Sequence, residues 1–252
     1  IIGAFRWREI TNSFGIKINI WNSFKAVMVA FSANLVAPAK SGDFVKAYAT
    51  NISTKKEKLG SAVISERIID LISLGILGLL GSFYLENYLL LIFNIIMLMG
   101  ILGVLILANL YFEKLKLIFS SKISDLLLQS LLLFKAKRLG IVNTLFFSLL
   151  NWIVGGLQVW LLFLSLGENI SPFIVLSIFP ITVLISIIPI TPGGLGVRES
   201  GFIFMFLPFI STHVSTLVSL FYYIFVVLFL ALIGVFFTYY IFWHENKNTT
   251  KS

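Results

Sequence analysis

The 252-residue sequence has no cysteine, only 2 His and only 12% charged residues. Without cysteine there is no disulfide framework, no thiolate metal site and no cysteine nucleophile. The two His fall outside any clustered pattern, which argues against a His-based metal site. Soluble domains usually carry about 25% charge, so the shortage argues against an ordinary soluble enzyme. Disorder is excluded by the opposite excess: 25 Phe and 15% aromatic residues are too apolar for it. Nucleophile motifs and nucleotide loops are also missing. The sequence therefore predicts no enzyme activity, no metal and no cofactor.

What is present is apolar and long. Hydrophobic residues make up 58% of the chain and mean hydropathy is +1.00. No Asp, Glu, Lys or Arg falls between Asp70 and Glu86, Glu86 and Glu113, Arg138 and Glu168, Glu168 and Arg198, or Glu199 and Glu245. A bilayer core of about 30 Å takes about 20 apolar residues as a helix, and backbone in lipid must satisfy its own hydrogen bonds. The runs predict spans at about 68–85, 88–112, 140–166, 172–190 and 213–243. The fold class expected is all-α: a polytopic integral membrane helical bundle, one domain over 1–252, multi-pass in the cell (plasma) membrane.

Charge sets its orientation. Of the 19 Lys and Arg, ten lie in 1–67 and six in 113–138. The connections near Glu86, Glu168 and His213 contain none, so the basic segments are expected on the cytoplasmic side. The net charge of +8 then reflects topology and anionic lipid rather than nucleic acid. Residues 113–138 mix bases with Leu, Ile and Phe, which suits either an interfacial helix or a plain connector. The opening Ile1–Phe5 stub running into Arg6-Trp7-Arg8 reads as the cytoplasmic end of a span with its anchor. One or two upstream helices are expected on that reading.

Two interruptions carry the most information. Ala26 to Ala37 is 12 residues, about 18 Å as a helix, too short to cross. Bases flank it, which predicts a re-entrant segment. Pro38-Ala39-Lys40-Ser41-Gly42-Asp43 follows, and a new helix is expected near Asp43. The second interruption is Pro189-Ile190-Thr191-Pro192-Gly193-Gly194-Leu195-Gly196, followed by Val197, Arg198 and Glu199. Both read Pro-x-x-x-Gly next to an acid and a base, and paired broken helices point to a transport site. Glu66 and Asp70 share a helix face at i,i+4, with Arg67 placed to pair with Asp70. Ionisable groups at such depth are functional candidates. Gly75, Gly78 and Gly81 allow close packing within the chain or in a dimer.

Taken together these residues resemble the lysylphosphatidylglycerol synthase transmembrane-region family, also called the flippase-like domain. The resemblance runs through Arg6-Trp7, Asn34, Pro38, Gly42, Asp43, Lys46, Glu66-Arg67-x-x-Asp70 and Pro192-Gly193-Gly194-Leu195-Gly196-Val197-Arg198-Glu199. It implies re-entrant segments around a lipid-accessible cavity and, in one branch, lipid translocation. Positions 40 and 46 are Lys where the family often has Arg, which loses a bidentate fork for phosphate. No aminoacyl-transferase domain is expected after Lys251, so the aminoacylating activity of fused members is not implied.

Membrane lipid, phospholipid or lipid-linked, is the substrate the resemblance implies. The residues expected to bind it are Asn34, Pro38, Lys40, Gly42, Asp43, Lys46, Glu66, Arg67, Asp70, Pro192, Gly193, Gly194, Gly196, Arg198 and Glu199. Backbone amides at Gly42 and Gly193–Gly196 are expected to be open to anions. The alternative is a non-transporting partner of a soluble glycosyltransferase or other envelope-assembly enzyme. A homo-oligomer is compatible with either reading, and no nucleic-acid partner is expected.

Overall fold

The computed structural model describes residues 1–50, 56–110, 126, 129–130, 138–186 and 196–249, apart from the side chains of 38, 39, 105, 108, 109 and 242–249. All regular structure among the described residues is helical. In chain order these are α1 (Ile2–Ser13), α2 (Ile20–Ala33), a 3₁₀ helix (Pro38–Phe44), α3 (Val45–Ala49), α4 (Lys56–Tyr84) and α5 (Tyr88–Leu110). Then come α6 (Arg138–Ser165), α7 (Pro172–Ser186), α8 (Val197–Phe206), α9 (Thr212–Tyr222), a π segment (Tyr223–Leu228) and α10 (Phe229–Thr249).

Local chemistry explains the boundaries. Asn19 caps α2 by accepting from the Asn22 amide at 2.7 Å. Ser211 caps α9 in the same way, through the Val214 amide. The helix α2 has 14 residues, about 21 Å at 1.5 Å each, still short of a bilayer. It starts six residues earlier than the apolar run because Asn19 supplies the cap, so Lys25 lies inside it. The chain after it re-enters a helix at Pro38, not near Asp43: Pro38 holds the first position of the 3₁₀ turn, where a missing N–H costs nothing.

The long helix α4 is the hub, packed against α5, α6 and α7. Glycine permits the approach. A Cβ on Gly81 would lie 2.5 Å from Ser177 Cα of α7, and Cβ atoms on Gly75 and Gly78 would strike Leu98 and Asn94 of α5. These glycines therefore serve contacts within the chain. On the other side α10 lies along α2, where a Gly234 Cβ would meet the Met28 carbonyl oxygen at 2.1 Å. The helix α1 sits between α2 and α6.

The outside of this bundle is apolar. Large side chains on α5 (Leu89, Ile92, Ile96, Met99) and on α10 (Leu232, Val235, Phe236) are exposed, far more than a water-soluble monomer presents. Among the described residues, two helices, Arg138–Ser165 and Thr212–Ile241, are long and apolar enough to cross a membrane. Inside, buried Thr11, Ser73, Ser82 and Thr144 hydroxyls donate to carbonyls of their own helices. The buried charges gather in one place.

Candidate functional site

Glu66 and Asp70 stand one turn apart on α4 and face the same way. The Arg6 guanidinium of α1 spans them, with Nε 2.8 Å from Glu66 Oε1 and one terminal nitrogen 2.5 Å from Asp70 Oδ1. Lys46 of α3 reaches the other Glu66 oxygen at 2.5 Å and Asp43 Oδ1 at 3.5 Å. Arg67 closes the circuit, 2.8 Å from Asp43 Oδ2 and 3.2 Å from Asp70 Oδ2. The result is a ring of six alternating charges: Arg6, Glu66, Lys46, Asp43, Arg67, Asp70. Its formal charge is zero.

Surrounding groups fix the ring. The Ser148 hydroxyl of α6 donates to Asp70 Oδ1, and the Asn34 amide donates to Asp43 Oδ1 at 3.0 Å. Lys46 also lies over the Trp7 ring, 5.2 Å from its centre. The Trp7 indole donates to the Thr50 hydroxyl, which donates in turn to the Lys46 carbonyl. Five ring members are buried; Arg67 is the exception, with its side chain 28% exposed. Gly42 brings the 3₁₀ helix onto the end of α2. A Cβ there would sit 2.6 Å from Ala33 and Asn34 backbone atoms. Gly42 is therefore buried against α2, and no open amide is presented there.

Lys40 lies beside the ring and outside its pairing. Its backbone is left-handed, with φ of 57°, a conformation that costs a non-glycine residue energy. Its ammonium sits over the Trp152 face, 5.1 Å from the centre. Neither Lys40 nor Asp43 belongs to a spanning helix. Burial, with the nearby Arg67 charge, pushes the Lys40 ammonium down to about 8. Burial alone would raise the Asp43 carboxyl, but Arg67, Lys46, Lys40 and the Asn34 hydrogen bond together hold it well below the usual carboxylate range.

Aromatic rings connect this region with the second interruption. Trp152 packs on Phe179 of α7 (6.5 Å between centroids), and Phe179 packs edge-on against Tyr222 (5.7 Å). Next in chain, Tyr223 opens the π segment, and the Arg198 guanidinium lies 4.5 Å from its ring centre. Arg198 pairs with Glu199. Glu199 also accepts the Gly196 amide at 2.6 Å, where Gly196 takes φ of 81° to begin α8. Two cations, Lys40 and Arg198, thus stand at opposite ends of an aromatic wall.

Of the residues expected in the site, Asn34, Asp43, Lys46, Glu66, Arg67 and Asp70 converge, and Lys40 and Gly42 adjoin them. Gly196, Arg198 and Glu199 form a separate cluster. Pro38 supplies backbone at the start of the 3₁₀ turn. Pro192, Gly193 and Gly194 lie outside the described residues, as does nearly all of 113–138. Two expectations change. The helix that carries Glu66 and Asp70 does not begin near residue 68: α4 starts at Lys56, ten residues before Glu66. Arg6 and Trp7 are not an interfacial anchor: both are buried, and Arg6 is a ring member. Arg6, Ser148 and Trp152 were absent from the expected set. For Arg6 no local signal exists, since its acidic partners lie 60 and 64 residues away in sequence. Ser148 and Trp152 look like any small or aromatic residue of a span.

Residues 1–234 match the family described as the lysylphosphatidylglycerol synthase TM region. Similar proteins include UPF0104 membrane protein MJ1595 of Methanocaldococcus jannaschii, 27% identical over 83% of this chain and 71% of that protein. UPF0104 membrane protein MJ1078 of the same organism is 31% identical over 68% of this chain and 77% of its own length. UPF0104 membrane protein PH1989 of Pyrococcus horikoshii is 26% identical over 79% and 70%. No solved structure matches the chain.

Proposed function

The chain belongs to the lysylphosphatidylglycerol synthase TM region family, and from that membership we propose that it translocates a phospholipid or lipid-linked headgroup across the cell membrane. The observation that carries the reading is the closed ring of six paired charges, five of them buried, inside a bundle whose outer surface is apolar. Isolated charges at bilayer depth are costly, roughly 2.5–3.5 kcal/mol each on insertion scales. Pairing every one of them lets the interior stay polar, as passage of a headgroup requires. The reading takes the chain as multi-pass, with its basic segments on the cytoplasmic side as the charge distribution predicts.

In this mechanism the ring holds the helices in register, and its partly exposed Arg67 faces the path. Lys40 and Arg198 offer charge to the phosphate at successive points. The aromatic wall of Trp152, Phe179 and Tyr222 separates them without offering a carboxylate that would repel it. No nucleotide motif is present, so coupling to ATP would need another subunit.

The test is flux in liposomes carrying fluorescent phospholipids of different headgroup charge, read by dithionite quenching. Lys40→Ala and Arg198→Ala should each lower flux about tenfold, the equivalent of one charge-assisted contact, with folded protein retained. Undiminished flux in both folded variants would overturn the assignment. A neutral, closed ring also suits a purely structural role. No flux from folded wild-type protein, together with co-purification of a soluble transferase, would favour the non-transporting partner instead.

A further inference from the structure

A cavity of about 440 Å³ lies at the end of α1, lined by Arg8, Asn12, Gly15, Lys17 and Ile18. It is separate from the charged ring: Arg8 is two residues beyond Arg6, and two helical steps turn a side chain to roughly the opposite side. Two carbonyls at the helix end are turned onto backbone amides. Thr11 O accepts the Phe14 and Ile16 amides and Asn12 O accepts the Gly15 amide, so these two carbonyls are engaged within the turn. Gly15 takes φ of 73°, and a Cβ there would meet nothing within 4 Å. The left-handed turn selects glycine, and the space beside it stays open.

The charge of the cavity is uncompensated. Arg8 Nε is buried with no hydrogen-bond partner. Among the described residues neither the Arg8 nor the Lys17 side chain has an acidic partner, and no carboxylate lines the cavity. The neighbouring acid, Glu9, is engaged by the Asn143 amide of α6 at 3.2 Å. A guanidinium, an ammonium and a carboxamide face one space. These are donors for a tetrahedral oxyanion, with the guanidinium fork spanning two oxygens.

We propose that this cavity is a phosphate-binding site, taking the phosphate of an anionic phospholipid headgroup or of a soluble phosphate ester. Its volume falls within the range of about 300–1,000 Å³ typical of small-ligand sites. The lipid source fits its surroundings. Ile20 and Trp21 are exposed a few residues beyond Lys17, and an exposed Trp beside bases is the composition of a membrane–water interface.

The experiment uses the full chain in phosphate-free detergent and in nanodiscs. Native mass spectrometry of protein from mixed phosphatidylglycerol and phosphatidylcholine micelles should retain phosphatidylglycerol. The Arg8→Gln/Lys17→Gln variant should lose that retention about tenfold, one charge-assisted contact. Lys17→Gln alone, at an exposed position that cannot unfold the chain, should lower it in the same direction. Retention unaffected by millimolar inorganic phosphate identifies the lipid as the source. Inorganic phosphate binding in lipid-free micelles, lost in the double variant, identifies the soluble ester; both outcomes support the site. Equal binding of both probes by wild type, Lys17→Gln and a folded double variant would overturn it. None of these readouts is flux, so a failure of translocation leaves the result standing.

Discussion

Glu66 is the residue on which two buried cations depend. It is fully buried, with one oxygen on Arg6 and the other on Lys46. Removing one partner of a buried pair leaves an uncompensated charge, which costs about 3–5 kcal/mol. Glu66→Gln keeps the shape and removes the charge, so it should lower the thermal midpoint in detergent strongly. Adding Lys46→Met should recover part of the loss, because one stranded cation goes with it. A Glu66→Gln midpoint equal to wild type would mean the ring is not what holds these helices. Lys40 makes a different prediction. Its ammonium, pushed down to about 8, is charged below that pH and neutral above it. Flux that uses Lys40 should therefore fall as pH rises through about 8. Arginine stays protonated throughout, so Lys40→Arg should flatten the profile. A wild-type profile with no fall between pH 7 and 9 would remove Lys40 from the path.

Among the elements, close approach through glycine decides the packing. Gly81 meets the backbone of Ser177, and Gly42 meets the backbone at the end of α2. Backbone cannot rotate aside as a side chain can, so Gly81→Leu should force α4 from α7. The expected loss is about 1–3 kcal/mol, read as a lower midpoint and greater protease sensitivity. Gly103, beside which a Cβ meets nothing within 4 Å, should tolerate the same change and is the control. The sequence made several elements legible. Charge-free runs located α5, α6, α7 and the long α9–α10 region, because a helix in lipid must be apolar over its whole length. It misplaced the edges of α2 and α4, where capping by Asn19 and polar first turns extend a helix beyond its apolar part. The i,i+3 pairing of Arg67 with Asp70 was legible because both lie on one helix. The Arg6 pairing was not: 60 and 64 residues separate it from its partners, and nothing local distinguishes a ring member from an anchor beside a Trp.

For the whole molecule, the arrangement inverts that of a soluble protein, with charge paired inside and apolar side chains outside. The solvent that meets these apolar faces decides what a charge placed there costs. Ile96 on α5 is 65% exposed and Leu232 on α10 is 68% exposed. If those faces meet water, a charge there is harmless, since surface substitutions usually fall within about 0.5 kcal/mol. If they meet lipid, an arginine near the middle of a span costs roughly 2.5–3.5 kcal/mol. Ile96→Arg and Leu232→Arg should therefore reduce membrane-integrated protein, measured as the fraction resistant to carbonate extraction. Ile96→Ala and Leu232→Ala should leave it intact, because alanine removes area without adding charge. Arginine variants that integrate as well as wild type would mean that these faces do not meet lipid, and the interior ring would then need an explanation other than a headgroup path.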